Sequence, residues 1–187
     1  MSGHGHVDPS NKKIALLISI LALVLAFAET LGKGAQTAAL SHNIHASNLW
    51  TFFQAKTIRS TTLRTAAEAL EVELAQASRP EQREAMQKRI ADWKAGVARY
   101  DSEPETQEGR KELAARAKTA ENQRDRSLAA YHNYEIASGA IQIAIVLASA
   151  EIITGVVLLT WIAGGLGLIG ILFCAVGFFA PTAIHLF

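Results

Sequence analysis

The sequence predicts an all-α membrane protein, with three transmembrane helices and a coiled-coil-like helical hairpin or bundle inserted between the first and second. Three observations predict this. The apolar regions 14–31 and 136–187 hold only two charged side chains between them, Glu29 and Glu151. Residues 33–135 hold sixteen of the eighteen Lys and Arg and fourteen of the seventeen Asp and Glu. The insert also repeats its apolar residues at helical spacing. A chain that is 50% hydrophobic with charge so unevenly placed is not a soluble domain around one large core.

Residues 1–13 are polar and rich in turn formers, and read as a disordered tail whose His4 and His6 make no metal site by themselves. The run 14–31 has two readings. Lys12 and Lys13 before an apolar core, with Ala26-Phe27-Ala28 after it, resemble a signal peptide. The run is longer than a usual signal core, and its pattern continues beyond the supposed cut, so a retained helix is the reading taken here. Ala15, Ser19, Ala22 and Ala26 lead into Glu29, Lys33 and Gln36 at alternating spacings of four and three, a heptad seam.

The insert, 32–135, reads as three helices near 33–77, 80–100 and 104–135. In the first, Leu49, Phe53, Leu63, Ala67, Leu70 and Leu74 form one stripe, with Lys56 and Ser60 at two of its positions. Ser41-His42-Asn43 is its weakest point. A bend there would bring Trp50, Phe52 and Phe53 to the lipid interface; a straight helix would put them in the core of the insert, the preferred reading. Ser78-Arg79-Pro80-Glu81 reads as a capping box that opens the second helix, which carries Met86, Ile90, Trp93, Val97 and Tyr100. Ser102-Glu103-Pro104-Glu105 repeats the signal for the third, with Leu113, Ala117, Ala120, Leu128 and Tyr131 on its apolar face. The charges of the insert are most simply a solvated face.

The run 136–161 reads as the second span, since about 20 apolar residues cross a bilayer. It carries Ala140, Ala144, Ala148, Glu151 and Gly155 on one stripe. Trp161, Gly164 and Gly165 mark a turn, and 164–187 reads as the third span. There Ala163, Gly167, Gly170, Cys174, Gly177 and Pro181 form another small-residue seam, the kind that lets helices approach closely in lipid. Tyr131, His132 and Tyr134 read as interface anchors. Counting Lys and Arg near the span ends, Lys12 and Lys13 stand against Lys33, Arg116, Lys118, Arg124 and Arg126. That balance places the insert in the cytoplasm.

Few residues suggest chemistry. Glu151 is the strongest candidate, because a carboxylate within a bilayer costs about 2.5 kcal/mol or more and marks an ion path, a proton relay or a polar helix contact. The packing alternative gives it a hydrogen bond to Thr154. Gln142 and Ser149 lie on another face as a further polar contact. Glu29 and Lys33, four apart at the end of the first span, read as a structural pair. His42 and His45 share a helical face but lack a third ligand. The last span holds no phosphate loop, no nucleophile-base arrangement is visible, and a lone cysteine, Cys174, allows no disulfide within the chain. The insert carries too little basic excess for nucleic acid. No enzyme activity, metal or cofactor is expected.

AETLGKGAQ at the end of the first span, SNLWTFFQAKTIR beyond it, a charged helical hairpin and two closing spans together resemble an uncharacterised bacterial inner-membrane family, domain of unknown function 4337. The resemblance covers nearly the whole chain, and QAKTIR is its most specific part. It implies a bacterial, three-pass inner-membrane protein and no activity. The expected function is a homo-oligomeric membrane scaffold whose insert offers a surface to a protein partner. The alternative is an ion or proton pathway lined by Glu151, and a membrane enzyme ranks third.

Overall fold

The computed structural model describes residues 9–184, with side chains from residue 12 onward. Among them the fold is all-helical: α1 (Pro9–Gln76), α2 (Pro80–Asp101), α3 (Arg110–Thr154) and α4 (Leu158–Phe179). α1, α3 and α4 each contain a stretch long and apolar enough to cross a membrane. Of the tail expected over 1–13, residues 1–8, with His4 and His6, lie outside the described residues. Residues 9–13 begin α1. α1 continues as helix through Ser41-His42-Asn43, without a break at this weakest point.

The chain divides into two units. The first comprises the described residues of Met1–Leu40 and Gln123–Phe187. Its core gathers Ile14 and Leu21 of α1, Ile141, Ala144 and Ala148 of α3, and Ala163 of α4. α3 and α4 form an antiparallel hairpin whose glycines set the approach. A Cβ on Gly167 would meet Leu21, one on Gly170 would meet Ile141, and one on Gly177 would meet Tyr134. Ala163, Gly167, Gly170 and Gly177 are the buried residues of α4, and Pro181 beyond it is buried as well. The opposite faces expose Leu23, Phe27, Val146, Leu168 and Leu172.

The hairpin turn departs from expectation. Instead of continuing to Trp161, α3 ends at Thr154. Gly155 adopts φ +70°, and its N–H donates to the Glu151 carbonyl at 2.8 Å, a left-handed helix end that glycine makes without strain. α4 starts at Leu158, six residues before the expected 164. Glu151 therefore lies one turn from a helix end, not mid-span. In α1 the seam Ala15, Ser19, Ala22 and Ala26 is exposed. The buried face carries the larger Ile14 and Leu21, which reach further across to the hairpin. Tyr134, expected as an interface anchor, is buried against Gly32 and Gly177.

The second unit is Ser41–Asn122. Its spine is residues 41–76 of α1. Ala46 and Leu49 pack with Leu113, Ala117 and Ala120 of α3, joined by Trp50, Phe52 and Phe53, and Trp50 Nε1 donates to Glu121 Oε1 at 2.8 Å. Further along, Leu63 lies against Gly96 of α2, and Lys94 pairs with Glu71 at 2.6 Å. The aromatic cluster thus belongs to the core of this unit. Within the first unit, Leu128 of α3 is exposed, off the apolar face expected for it.

Neither expected capping box forms. Pro80 does open α2, but Arg79 occupies the N-cap and no side chain bonds there. Residues 104–107 make a single turn, closed by the Gln107 N–H donating to the Glu103 carbonyl at 3.0 Å. Gln107 then takes φ 58°, which stops the turn, so α3 starts at Arg110 rather than near 104. Glu112 stitches the connection instead. The Ser102 hydroxyl donates to its Oε1 at 2.7 Å, and the Glu103 N–H donates to its Oε2 at 3.2 Å. These contacts, the Ser102 hydroxyl foremost, hold the Glu112 carboxyl below its ordinary pKa.

Candidate functional site

The polar groups of the first unit gather at three places. At the turn of the hairpin, Glu151 is buried, 8% exposed, and accepts a hydrogen bond at 2.5 Å from the Thr160 hydroxyl of α4. Thr154, the partner expected from sequence, instead donates to the Ala150 carbonyl at 2.9 Å, and the Val156 N–H reaches its hydroxyl at 3.4 Å. At the other end of the hairpin, the Asn133 amide donates to the Ala129 carbonyl at 2.9 Å and the Pro181 carbonyl at 3.0 Å. Asn133 is 1% exposed. Nothing in the sequence singled out Asn133 or Thr160; their partners lie too far along the chain.

The third place is a cleft of about 300 Å³ between α1 and α3. α1 lines it with Ala28, Glu29, Gly32, Lys33 and Gln36, and α3 with Tyr131, Tyr134, Glu135 and Ser138. Glu29 and Lys33 share this cleft, but among the described residues they form no ion pair. Glu29 Oε1 instead accepts from the Gln142 amide at 3.2 Å, so one of the two polar groups on the other face of α3 has a partner on α1. The other, Ser149, donates to the Ile145 carbonyl within its own helix. The Tyr131 hydroxyl donates to Glu135 Oε1 at 3.4 Å, and the Ser138 hydroxyl is buried with no partner.

The second unit holds one cluster that the sequence only hinted at. Lys56 is buried, its ammonium 3.7 Å from both Glu103 and Glu108 and over the rings of Phe52 (5.2 Å) and Tyr100 (5.3 Å). It ties the spine to the connection between α2 and α3. Among the described residues, no group of three or more His, Cys, Asp or Glu is placed to hold a metal ion, so His42 and His45 gain no third ligand. Cys174 is half-buried in α4 and free.

The family pattern of domain of unknown function DUF4337 matches residues 10–180, almost the whole described chain. The chain belongs to the DUF4337 family. No curated protein and no solved structure matches it. The DUF4337 match takes in both apolar regions and the insert together, so these parts form one family unit. It assigns no role to any residue, and the chemistry of this DUF4337 chain rests on the geometry above.

Proposed function

We propose that the protein is a homo-oligomeric, three-pass membrane scaffold whose charged helical insert offers a binding surface to a protein partner. The observation that carries this is the contrast between two small-residue seams. The seam of α4 is consumed inside the chain, against Leu21, Ile141 and Tyr134. The seam of α1, Ala15, Ser19, Ala22 and Ala26, is exposed. Close-packing faces of this kind drive helix association in lipid, and copies in one bilayer share an orientation that allows parallel contact. On this reading the insert is cytoplasmic, the membrane is the bacterial inner membrane, and the protein catalyses no reaction of its own.

Light scattering or native mass spectrometry in mild detergent tests the reading, with one discrete oligomer expected. A monomer at every concentration would falsify it. Glu151 then serves as a clasp of the hairpin rather than a conductor, because it is buried and bonded to Thr160 within its own chain. Reconstituted protein is expected to show no ion flux that Glu151→Gln alters. A flux abolished by that change would restore the ion-pathway alternative.

A further inference from the structure

We propose that the cleft between α1 and α3 binds a phospholipid headgroup that carries a phosphate and a primary ammonium, the phosphoethanolamine type. Its volume, about 300 Å³, is that of a small-molecule site at the lower end of the usual range. Its lining is zwitterionic. The Lys33 ammonium has no ion-pair partner among the described residues, whereas Glu29 brings a carboxylate and Glu135 a second, already bonded to Tyr131 and 3.6 Å from His132 Nδ1. The Glu29 carboxylate uses one oxygen on Gln142, and its other oxygen has no partner among the described residues.

This pattern selects one headgroup chemistry. Lys33 stands against Glu29, and Glu135 is shared with Tyr131 and His132, so the lining holds no surplus cation, which disfavours an anionic headgroup and favours a ligand that brings its own cation. A primary ammonium donates three hydrogen bonds and suits carboxylate and hydroxyl acceptors. A quaternary ammonium donates none and is recognised by aromatic faces instead. Lys33 supplies the complementary charge for the phosphate. Position agrees, on the membrane reading that this inference shares with the proposed function. The cleft begins where the apolar run 14–31 gives way to Lys33, and Tyr131 at its rim is a residue type enriched at headgroup level.

The test uses the full-length protein in mild detergent, titrated with short-chain phosphatidylethanolamine, phosphatidylcholine and phosphatidylglycerol, with bound lipid counted by native mass spectrometry. Phosphatidylethanolamine is expected to bind at least about tenfold more tightly than the other two, the factor for one or more charge-assisted hydrogen bonds. Glu29→Gln should erase most of that preference and Lys33→Gln should weaken all three lipids alike, because the phosphate is common to them, while circular-dichroism melting shows both variants folded. Equal affinity for the three lipids, or a Glu29→Gln variant that keeps the wild-type preference, overturns the proposal. Free phosphoethanolamine is the further arm. Competition only in large excess supports a membrane lipid, and binding as tight as the lipid's assigns a soluble ligand and overturns the lipid source. A monomer that shows the preference removes the scaffold reading alone, and an oligomer without it removes this inference alone.

Discussion

Gly170→Ala sets two opposing effects against each other, and the structure says which one wins. Replacing glycine by alanine inside a helix gains at most about 1 kcal/mol of propensity. At Gly170, however, the new Cβ would stand 2.5 Å from Ile141 Cγ1, 2.9 Å from its Cδ1 and 3.1 Å from the Ala137 carbonyl oxygen. Ile141 is fully buried and has no free side to move into. Overpacking of this kind costs about 1–3 kcal/mol. The expected net effect is a loss of about 0–2 kcal/mol. Gly164→Ala is the control, since a Cβ there meets nothing within 4 Å, and it should gain up to about 1 kcal/mol. The difference between the variants isolates the packing term. Unfolding in mixed micelles of rising denaturing-detergent fraction, followed by circular dichroism, measures it. Adding Ile141→Ala should shrink the Gly170→Ala penalty, because the two sites are in direct contact. If Gly170→Ala is as stable as Gly164→Ala, the close approach of α3 and α4 at this level is wrong.

The remaining predictions concern the clasps and connections. Lys56→Met should cost about 1–2 kcal/mol, between the values for exposed and buried ion pairs because Glu108 is half-exposed; Lys56→Ala should cost more, and hydrogen exchange across residues 98–113 should accelerate in both. The Glu112 pKa is lowered in the folded state, so its stabilisation of the connection is fully present above the ordinary glutamate value of about 4.3 and is lost as pH falls through the folded-state value. Carboxyl carbon NMR should place its midpoint below the ordinary glutamate range, and Ser102→Ala should move it back up. Glu151→Gln keeps an acceptor for Thr160 and should leave stability within about 0.5 kcal/mol of wild type, whereas Glu151→Leu should lose about 1 kcal/mol in the same unfolding assay; a leucine variant at least as stable as wild type refutes the clasp.

What could be read in the sequence follows from how local each signal is. Helical periodicity is local, and the stripe of α1 that runs from Leu49 through Lys56 and Ser60 to Ala67 is buried at all four of those positions. The glycine seam of α4 was legible for the same reason. The seam of α1 was as legible as a repeat, but a repeat does not say what it packs against. Ile14 and Leu21, seven residues apart, make a second repeat on the same helix, and no local rule says which of two repeats faces the hairpin. Gly155 was overlooked as a helix end because apolar residues surround it and Gly164-Gly165 gave a stronger turn signal; its positive φ decides the matter. Start signals at Ser102 and Pro104 were outweighed by the left-handed Gln107, a residue type that does not advertise that conformation. The pairs Glu29–Gln142, Asn133–Pro181 and Trp50–Glu121 join residues too distant in sequence for any spacing rule to reach.

The two clasps of the hairpin bear on how the protein meets a bilayer. Asn133 and Glu151 stand eighteen residues apart on α3, which at 1.5 Å per residue is about 27 Å. The hydrocarbon core of a bilayer is about 30 Å thick. On the membrane reading, each clasp therefore lies near a boundary, where a carboxylate or amide costs far less than at the centre. Between them α3 carries two polar side chains with a long reach: Glu135, two residues from Asn133, and Gln142, whose amide is taken up by Glu29. The arrangement fixes the register of α3 against α4 at both ends and leaves the middle to glycine contacts. It also explains why Glu151, the residue that most suggested transport, reads better as a fastening. A carboxylate meant to carry ions would need an open path past it, and this one is buried and bonded inside its own hairpin. On the proposed scaffold reading, the face for association is the outer side of α1, where Ala15, Ser19, Ala22 and Ala26 are exposed among the described residues.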